Sequence, residues 1–366
     1  MQRRDFLTST IAAGAALGVT GCSPSSAGPA VRTQPHVRWR LASSFPRSLD
    51  TIFGAAEVLS RRVDELTEGR FKIAATSPGE VLPALEVLDG VRQNAVEVAH
   101  SASYYFIGKE PALAFDCAVP FGLTARQQCA WLTQAGGREL LQKHLFDPYD
   151  VLHFPGGNTG VQMGGWFVRP LHSLTDLNGL KMRIPGLGGQ VMNRLGATPL
   201  VLPGGEIYTS LERGAIDATE WVGPYDDQKL GFHQVAKHYY YPGWWEPGPA
   251  LTFYVSRSAW EKLPLSYQGA FTAAAAEAAH RMQMEYDAKN PPALASLVES
   301  GVQLHPFPTD ILVAAEKAFD EYTADKVANS PTYRTIHEHW SAYKRSSDRW
   351  FGTAEKGYLD FALRNR

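Results

Sequence analysis

Two glutamates beside tryptophans are the first residues in this 366-residue chain whose types and spacing suggest chemistry. Glu220 directly precedes Trp221 in the segment TEWVGPYDD, and Glu246 lies near the end of the aromatic segment YYYPGWWEPG. Aromatic walls exclude water, so a carboxylate there either takes up a proton or finds a positive partner. Two such carboxylates that converge would raise each other's pKa, and a bound cation would remove that penalty. The alternative is that each glutamate caps a turn or pairs with a neighbouring Lys or Arg.

An arginine and a glutamine lie in settings suited to binding a carboxylate. In KMRIPGLGG, Arg183 ends a short predicted strand before a Pro-Gly turn that opens a helix, where its guanidinium could fork onto a carboxylate beside the helix amides. Gln162 is followed by Gly164 and Gly165, whose lack of side chains lets another group approach the backbone. Taken alone, either residue would be interpreted as an exposed side chain. Asn158, in the turn before Gln162, is typical of a turn former.

No catalytic motif accompanies these residues. The sequence has no GxSxG elbow, no HExxH, no phosphate loop with Gly-Lys-Ser/Thr and no GxGxxG between a strand and a helix. Lys plus Arg number 35 and Asp plus Glu 37, which gives a net charge of -2 and no basic field that would draw nucleic acid. The length and the 44% hydrophobic residues predict a globular protein of about two domains.

The segments that must position these side chains alternate between strand and helix patterns. Apolar residues alternate over 37–41 and 71–75 and recur at helical spacing over 49–66 and 85–91, which predicts a β-α-β-α opening with a parallel sheet. A second α/β series begins near Val151. Its predicted strands are VLHF, VQMGGWFV, LKMRI and TPLVL, with helices from around Gly188 and through Tyr208 to Arg213. ALTFYV is a further strand, and helix formers dominate from Leu263 onward.

These patterns predict an α/β fold with two lobes, a hinge-bounded ligand cleft and long C-terminal helices. Lobe 1 comprises residues 36–154 and part of 250–310, and lobe 2 comprises residues 155–249. The crossings near Phe154 and Ala250 are the candidate hinges. Residues 310–366 form the C-terminal helices, whose many aromatic side chains pack either on the chain's own body or on a second copy. The tail is therefore a candidate dimerisation element.

The first 35 residues have the pattern of an export signal followed by a flexible tether. Arg3 and Arg4 precede a mild apolar run and small residues that lead to Cys22. The arginine pair resembles a twin-arginine signal, and the tetrapeptide ending at Cys22 resembles a bacterial lipobox, which predicts a periplasmic protein anchored through that cysteine. A plain Sec-type signal with an incidental cysteine is the alternative. Residues 23–35, rich in Ser, Pro and Ala, are the predicted tether.

Two cysteines, Cys117 and Cys129, remain after such processing. In an oxidising compartment they could form a disulfide. They flank an apolar Pro-Phe-Gly loop, however, and this favours two buried, unpaired side chains that act as small hydrophobic residues.

Four segments together resemble one known family: GNTGVQMGGWF, LKMRIPGLGG, ATEWVGPYDDQKLGF and YYYPGWWEPGP. They are similar to the periplasmic substrate-binding subunits of TRAP transporters, the tripartite ATP-independent periplasmic type, and most of all to the branch that binds 2-oxo acids. The resemblance extends from about Val37 to the C-terminal helices. It implies a periplasmic-binding-protein-like fold that delivers its ligand to TRAP permease subunits driven by an ion gradient.

The resemblance also implies which side chains bind the ligand. Arg183 would form a bidentate salt bridge with the ligand carboxylate, and Gln162 would contact both ligand and cation. Asn158 and Tyr104 complete the predicted substrate-binding set. Pro185 stands where a glycine would also suit this branch; it stiffens the loop behind Arg183 and bears on the size of the ligand.

A bridging cation is part of the same implication. Glu220, the main-chain carbonyl of Trp221, Glu246 and Gln162 would hold it against the carboxylate and keto oxygens of the ligand. All these ligands are oxygens, which suits a hard ion and argues against zinc or copper. The 2-oxo acid branch favours Na⁺, and Ca²⁺ remains the alternative.

The predicted function is an extracytoplasmic solute-binding protein for a pyruvate-like 2-oxo monocarboxylate, not an enzyme. Within the family, the alternative is a protein that binds lactate or another 2-hydroxy acid with calcium. Outside it, one alternative is an exported metal-dependent lyase or hydrolase with Glu220 and Glu246 as acid and base. The other is a ligand sensor that regulates a partner through the same cleft.

Overall fold

The computed structural model describes residues 34–364. Residues 1–33, which hold most of the predicted export segment with Arg3, Arg4 and Cys22, lie outside the described part. The described strands are β1 (Val37–Ser43), β2 (Phe71–Thr76), β3 (Val98–Ser101), β4 (Val151–Asn158), β5 (Trp166–Phe167), β6 (Lys181–Arg183), β7 (Thr198–Leu200), β8 (Ala218–Thr219), β9 (His238–Tyr241), β10 (Ala250–Ser256) and β11 (Gln303–Pro306).

Helices cover both sheets and make up most of the C-terminal third. The helices are α1 (Gly54–Leu66), α2 (Val87–Arg92), α3 (Ala114–Cys117), α4 (Ala125–Gln134), α5 (Gly137–Leu141), α6 (Gly186–Arg194), α7 (Gly204–Glu212), α8 (Pro224–Lys229), α9 (Phe232–Val235), α10 (Arg257–Trp260), α11 (Leu265–Glu299), α12 (Thr309–Asn329), α13 (Pro331–Phe351) and α14 (Gly357–Ala362). The predicted α/β fold with long C-terminal helices is confirmed.

The first sheet has five strands in the order β2-β1-β3-β10-β4. β1 is parallel to β2 and to β3, whereas β10 is antiparallel to its neighbours β3 and β4. Parallel neighbouring strands need a crossover connection. α1 is the crossover between β1 and β2, and it packs against β2 with Leu59 and Val63 among its buried residues. The predicted β-α-β-α opening is therefore correct.

The second sheet has six strands in the order β11-β9-β5-β8-β6-β7. One prediction fails here. The expected strand VQMGGWFV is reduced to Trp166–Phe167, because Gly165 has a φ of +85° and turns the chain just before it. The region after Leu263 is predominantly helical, as predicted, and its one described strand, β11, follows the end of α11 before Gly301 (φ +91°).

β4 and β10 are the strands through which the chain crosses between the two sheets. They pair antiparallel, with a register irregularity between Leu251 and Thr252. The chain leaves the first sheet after Asn158 and returns to it at Ala250, so every strand from β5 to β9 belongs to the second sheet. The division into two lobes and the hinges near Phe154 and Ala250 remain predictions.

The long helix α11 packs on both parts of the molecule. It contacts α1 and β4 and, further along, α8. Its buried alanines, such as Ala274 and Ala278, let it approach the first sheet closely, and Tyr286 donates a hydrogen bond to Asp226 of α8 (2.7 Å). None of the helices formed by residues 34–364 is long and apolar enough to cross a membrane.

The C-terminal tail divides into a packed part and an exposed part. Tyr333 and Trp340 are buried in edge-to-face contact with Phe115, so the first half of the tail covers the body of the protein. Beyond it, Trp350 is 64% exposed and Phe361 66% exposed. The predicted alternatives, packing on the body and docking on a second copy, thus concern different halves of the tail.

The two described cysteines are unpaired. Cys117 is buried, as expected for a small hydrophobic residue. The same expectation is wrong for Cys129, which is exposed, because α4 turns Gln128 and Trp131 toward the interior and leaves Cys129 on the solvent side.

Candidate functional site

The predicted arginine and one predicted glutamate meet because their strands are neighbours. β6 and β8 run parallel with Arg183 opposite Thr219, so Glu220, the next residue, lies beside the end of β6. The main-chain N–H of Glu220 donates to the carbonyl oxygen of Arg183 (3.2 Å). Both side chains are almost completely buried, at 1% and 0% exposure. Their ion pair therefore lies away from solvent, where a charge needs a partner.

Each nitrogen of the Arg183 guanidinium has at least one partner. Nη1 donates to the carboxylate and to the main-chain oxygen of Glu220 (3.2 Å to the latter), and Nε donates to the carbonyl of Leu202 (3.1 Å). Nη2 donates to the hydroxyl of Tyr105 at 3.5 Å, and the guanidinium carbon lies 5.1 Å from the ring centroid of Trp221. Tyr105 was not among the residues selected from the sequence. Its only signal was the adjacent Tyr104, which it follows in SASYYF.

Glu246, Tyr104 and Gln162 form the other side of the cluster. The hydroxyl of Tyr104, in a short 3-10 helix, donates to Oε2 of Glu246 (3.2 Å). The main-chain N–H of Gln162 donates to the carbonyl of Glu246 (3.3 Å), and its Nε2 donates to the hydroxyl of Thr159 (3.2 Å). Glu246 and Gln162 are each 3% exposed. The structure thus brings together Tyr104, Gln162, Arg183, Glu220, Trp221 and Glu246 in two buried groups.

The charges of these two groups interact. Burial raises the pKa of Glu220 to about 7, with the Arg183 guanidinium lowering it and Asp227 raising it further. Burial, and next the carboxylate of Glu220, raise the pKa of Glu246 well above its usual value. The sequence predicted two buried carboxylates that raise each other's pKa; Glu220 raises the pKa of Glu246, whereas burial and Asp227 raise that of Glu220. They indicate a place where a positive charge would be stabilised.

Two oxygens of the cluster have no hydrogen-bonding partner within residues 34–364: Oε2 of Glu220 and Oε1 of Gln162. Both are buried acceptors, and an unpaired buried acceptor is costly. Carboxylate and amide oxygens are the ligands that hard cations prefer. The same residues contain no group of three or more His, Cys, Asp or Glu arranged to hold a metal. The donor set therefore fits a hard cation that takes amide or main-chain oxygens beside the two carboxylates.

Asn158 has a different environment from the one predicted for it. Its Nδ2 donates to the carbonyl of Gly248 (3.2 Å), and its Oδ1 accepts from the main-chain N–H of Gly160 (2.8 Å). Both polar atoms thus hold the turn that leads to Gln162. Contact of Asn158 with a ligand remains a prediction without support from these bonds.

The comparison with protein families decides the class of this protein. Residues 42–330 match the model of the bacterial extracellular solute-binding proteins, family 7. The chain belongs to this family. It is thus a solute receptor of the TRAP type and not an enzyme, as predicted, and a periplasmic family of this kind makes it an exported protein.

Individual relatives of this solute-binding protein align over almost its whole length. A monocarboxylate 2-oxoacid-binding periplasmic protein of Nostoc sp. is 48% identical over 362 residues, which cover 99% of each chain. A TRAP solute-binding protein of Bordetella bronchiseptica, solved as a dimer with calcium and picolinate, is 43% identical, with a TM-score of 0.89 over 90% of this chain and 98% of that one. One of Pseudoalteromonas atlantica, solved with sodium and pyruvate, is 39% identical, with a TM-score of 0.86 over 88% and 98%.

Two further buried acids of the solute-binding protein lie behind Trp221. Asp227 accepts from the indole of Trp166 (2.9 Å), the hydroxyl of Tyr239 (2.6 Å) and the main chain of the segment that follows Trp221. Asp226 accepts from the indole of Trp221 at 3.4 Å. The pair DD was part of the segment first noted in the sequence. Asp226 thus contacts the indole of Trp221, and Asp227 holds the main chain of Val222, the next residue.

Asp226 provides a test of this arrangement through pH. Burial raises its pKa from 3.8 to about 7, so between about pH 4 and 7 the folded state holds a proton that the unfolded state has released. The contribution of Asp226 to stability must then fall as pH rises through this window, by at most about 1.4 kcal/mol per pH unit. We expect Asp226→Asn to remove this contribution, so that its stability relative to the wild type rises from pH 4 to 7, measured by urea unfolding without ligand. If the free energy of unfolding of Asp226→Asn changes with pH as in the wild type, Asp226 does not make this contribution. Asp320→Asn, which replaces an exposed acid of α12, is the control.

Gly165 lets two segments of the site approach each other. A Cβ on it would lie 2.4 Å from the carbonyl oxygen of Thr219 and 3.1 Å from the Cα of Glu220, and its φ is +85°. Such an approach at the glycine pair was expected from the sequence.

We therefore expect Gly165→Ala to lower the free energy of unfolding by at least about 2 kcal/mol, since the left-handed conformation alone costs about 1 to 2 kcal/mol and the backbone contact adds to it. Gly214→Ala is the matched control, because Gly214 has a φ of +68° and no atom within 4 Å of the point where a Cβ would lie. Chemical unfolding of both variants measures the difference. If both variants lose the same free energy of unfolding, the close approach at Gly165 does not contribute to stability.

Proposed function

We propose that this solute-binding protein captures a small 2-oxo monocarboxylate of the pyruvate type, together with one hard cation. The observation that carries the proposal is the buried Arg183 beside two buried glutamates, with Oε2 of Glu220 and Oε1 of Gln162 lacking partners within residues 34–364. A guanidinium is suited to bidentate binding of a carboxylate. Acidic and amide oxygens without partners are suited to a cation. A 2-oxo acid offers both groups, a carboxylate and an adjacent keto oxygen.

Ligand and cation would enter by exchange with an existing ion pair. Arg183 and Glu220 neutralise each other in this structure. A ligand carboxylate would take over Arg183, and the cation would take over Glu220, with Glu246, Gln162 and the carbonyl of Trp221 as its other ligands. Either partner arriving alone would leave one buried charge uncompensated, which costs several kcal/mol. The two are therefore expected to bind cooperatively.

The identity of the cation is the finer part of the proposal. Glu220, Glu246 and one ligand carboxylate outnumber Arg183 by two charges, so Ca²⁺ would neutralise the site and Na⁺ would leave one negative charge. Among the relatives, the Bordetella protein holds calcium and the Pseudoalteromonas protein sodium. We propose Na⁺ as the resident ion, with Ca²⁺ as the alternative that the titrations below distinguish.

The ligand class has support from relatives. The Nostoc protein is named for monocarboxylate 2-oxoacid binding, and the Pseudoalteromonas structure contains pyruvate. Their identities of 48% and 39% extend over nearly the whole chain. Tyr104, Tyr105 and Trp245 supply aromatic surface around the cluster, which suits a compact ligand.

Delivery would use closure of two lobes about the crossing strands near Phe154 and Ala250, followed by docking on TRAP permease subunits. The twin-arginine signal and the lipid anchor at Cys22 belong to this proposal as well. The signal would direct export of the receptor to the periplasm, and the anchor would hold it at the membrane near its permease.

Titration calorimetry of the protein without its export segment tests the binding proposal. Pyruvate, 2-oxobutyrate, a branched 2-oxo acid and lactate are titrated in buffer free of Na⁺ and Ca²⁺, and again with each ion restored. We expect binding of 2-oxo acids that depends on one of the ions. Tighter binding of lactate with Ca²⁺ would replace the 2-oxo acid assignment, and no binding to any of the four would reject it.

A second copy of the chain is our proposed partner for the exposed end of the tail. Trp350, Tyr358 and Phe361 are 64%, 69% and 66% exposed, and the Bordetella relative was solved as a dimer. We expect a dimer by light scattering at micromolar concentration and a monomer for Trp350→Glu combined with Phe361→Glu. Trp340, which is buried on the body, is left unchanged in this variant. A wild-type monomer would reject the proposal.

A further inference from the structure

Asp50 lies in the segment between β1 and α1, and its carboxylate contacts two helices from other parts of the chain. It accepts hydrogen bonds from the hydroxyl of Tyr225 (3.0 Å) and from the ammonium of Lys229, both on α8. The ammonium of Lys289, on α11, lies 3.5 Å from the same carboxylate. Both ammoniums also lie over the ring of Tyr225, at 4.6 and 4.8 Å from its centroid. We call these four residues the Asp50 cluster.

The Asp50 cluster joins a segment of the first sheet to a helix of the second. α8 follows β8 and precedes β9, which are both strands of the second sheet. Every other side-chain hydrogen bond of α8 among residues 34–364 leads to α11, to the second sheet or to the segment just before α8. Examples are Asn290, which accepts from the main-chain N–H of Tyr225 (3.1 Å), and Gln228, which donates to Ser296 (3.1 Å). Asp50 is therefore the described acceptor through which the segment after β1 holds α8.

The same segment, residues 44–53, contacts the proposed cation-binding segment at a second point. Phe45 is 1% exposed, and its ring meets the indole of Trp221 edge to face, with 6.4 Å between the centroids. Trp221 follows Glu220, and α8 begins three residues after Trp221. Residues 44–53 therefore lie against residues 220–229 at two points, one buried and one at the surface.

The burial of the proposed site makes this boundary important for binding. The side chains of Arg183 and Glu220 are 1% and 0% exposed, so a solute reaches them only when neighbouring segments separate. The boundary between residues 44–53 and 220–229 lies beside them and joins the two sheets. Half of the Asp50 side chain is exposed at this boundary, so its contacts can break and reform without leaving a charge buried.

We propose that Asp50 is a positioning residue that holds α8, and with it the cation-binding segment, against the first sheet and thereby slows release of the bound solute. This inference rests on the proposed function for its solute, and it adds a residue that contacts neither solute nor cation. A lone exposed ion pair contributes little, but here three donors share one carboxylate. Lys229 forms no other ion pair among residues 34–364, so loss of Asp50 leaves it without a carboxylate.

Stopped-flow dilution of the pyruvate complex, with the supporting cation present, measures release. We expect Asp50→Asn to release pyruvate about fivefold faster than the wild type at low salt. The difference should shrink at high salt, since screening weakens the cluster of the wild type and has no carboxylate to act on in the variant. Tyr225→Phe keeps the ring and loses the hydroxyl, so it should speed release in the wild type and add little in Asp50→Asn.

Glu57→Gln is the matched control. Glu57 pairs with Arg47 (2.9 Å), and both side chains are 52% exposed. Arg47 belongs to the same segment as Asp50, but this ion pair does not reach the second sheet. Its loss should leave the rate of pyruvate release unchanged. A release rate of Asp50→Asn within about twofold of the wild type, or an equal increase in Glu57→Gln, would overturn the role of Asp50.

Hydrogen exchange of the protein without ligand separates this inference from the proposed function. Peptides covering residues 220–230 should exchange faster in Asp50→Asn than in the wild type and in Glu57→Gln, because α8 has lost its contact with the first sheet. If exchange rises in this way and pyruvate does not bind the wild type, the proposed solute is wrong and Asp50 still positions α8. Unchanged exchange in Asp50→Asn would overturn the positioning role, whichever solute the protein binds.

Discussion

Replacing Arg183 with Met is expected to weaken 2-oxo acid binding by about 30-fold to several-thousandfold. The guanidinium would form charge-assisted hydrogen bonds to the ligand carboxylate, and a carboxylate left unpaired in a buried site costs roughly 2 to 5 kcal/mol. Arg183 is 1% exposed, so water cannot replace it. Calorimetric titration with pyruvate, with the supporting cation present, measures the change.

The same substitution also removes the partner of Glu220, so stability must be separated from binding. The double variant Arg183→Met with Glu220→Gln removes both charges of the pair and should regain part of the stability that the single variant loses. Pyruvate binding should stay lost in both. Arg213→Met, an exposed arginine after α7, is the control and should bind normally. Affinity within about fivefold of the wild type in Arg183→Met would exclude Arg183 as the carboxylate partner.

Glu220→Gln is expected to abolish most of the cation dependence and to reduce affinity for pyruvate at least about 30-fold. Glutamine keeps an oxygen but loses the charge, and removing one partner of a buried charge pair costs at least about 2 kcal/mol. Glu220 also has a raised pKa of about 7, and a cation can bind only after its proton leaves. Cation affinity of the wild type should therefore rise with pH through about 7.

The rise of cation affinity with pH provides the measurement for Glu220→Gln. Pyruvate affinity is recorded at a fixed cation concentration between pH 5.5 and 8.5. The wild type should show the rise and Glu220→Gln should lack the part that Glu220 contributes, while Glu246 accounts for any remainder. Glu206→Gln, an exposed acid of α7, should behave as the wild type. A Glu220→Gln protein with undiminished cation dependence would remove Glu220 from the cation site.

The strands and helices with regular apolar patterns could be predicted, and those set by long-range contacts could not. β1, α1, β2 and α11 follow their patterns because each buries one continuous apolar face. β5 is short because Gly165 turns the chain, and β11 forms because β9 offers it an edge. Cys129 follows the polar residues RQQ, whereas Cys117 lies in the more apolar segment LAFDCAV, and the orientation of α4 exposes Cys129.

The candidate site shows the same division. The residue types of Arg183, Glu220 and Glu246 beside aromatic rings suggested buried charges, and their burial agrees with this. Their direct ion pair was one of the alternatives considered for Glu220, and the neighbouring registers of β6 and β8 explain it. Tyr105 was missed, because it lies 78 residues before Arg183 in the chain and nothing in its neighbouring sequence indicates the contact.

The sequence by itself determined the α/β pattern, since residue types and short spacings are local properties of the chain, and the receptor class followed from the resemblance of four of its segments to TRAP substrate-binding subunits. Only the tertiary structure decided which side chains share a buried volume. It placed Asp226 and Asp227 behind Trp221 and left one oxygen of Glu220 without a partner among residues 34–364. The physical reason is that burial and hydrogen bonding depend on segments far apart in sequence, whose packing no local pattern specifies.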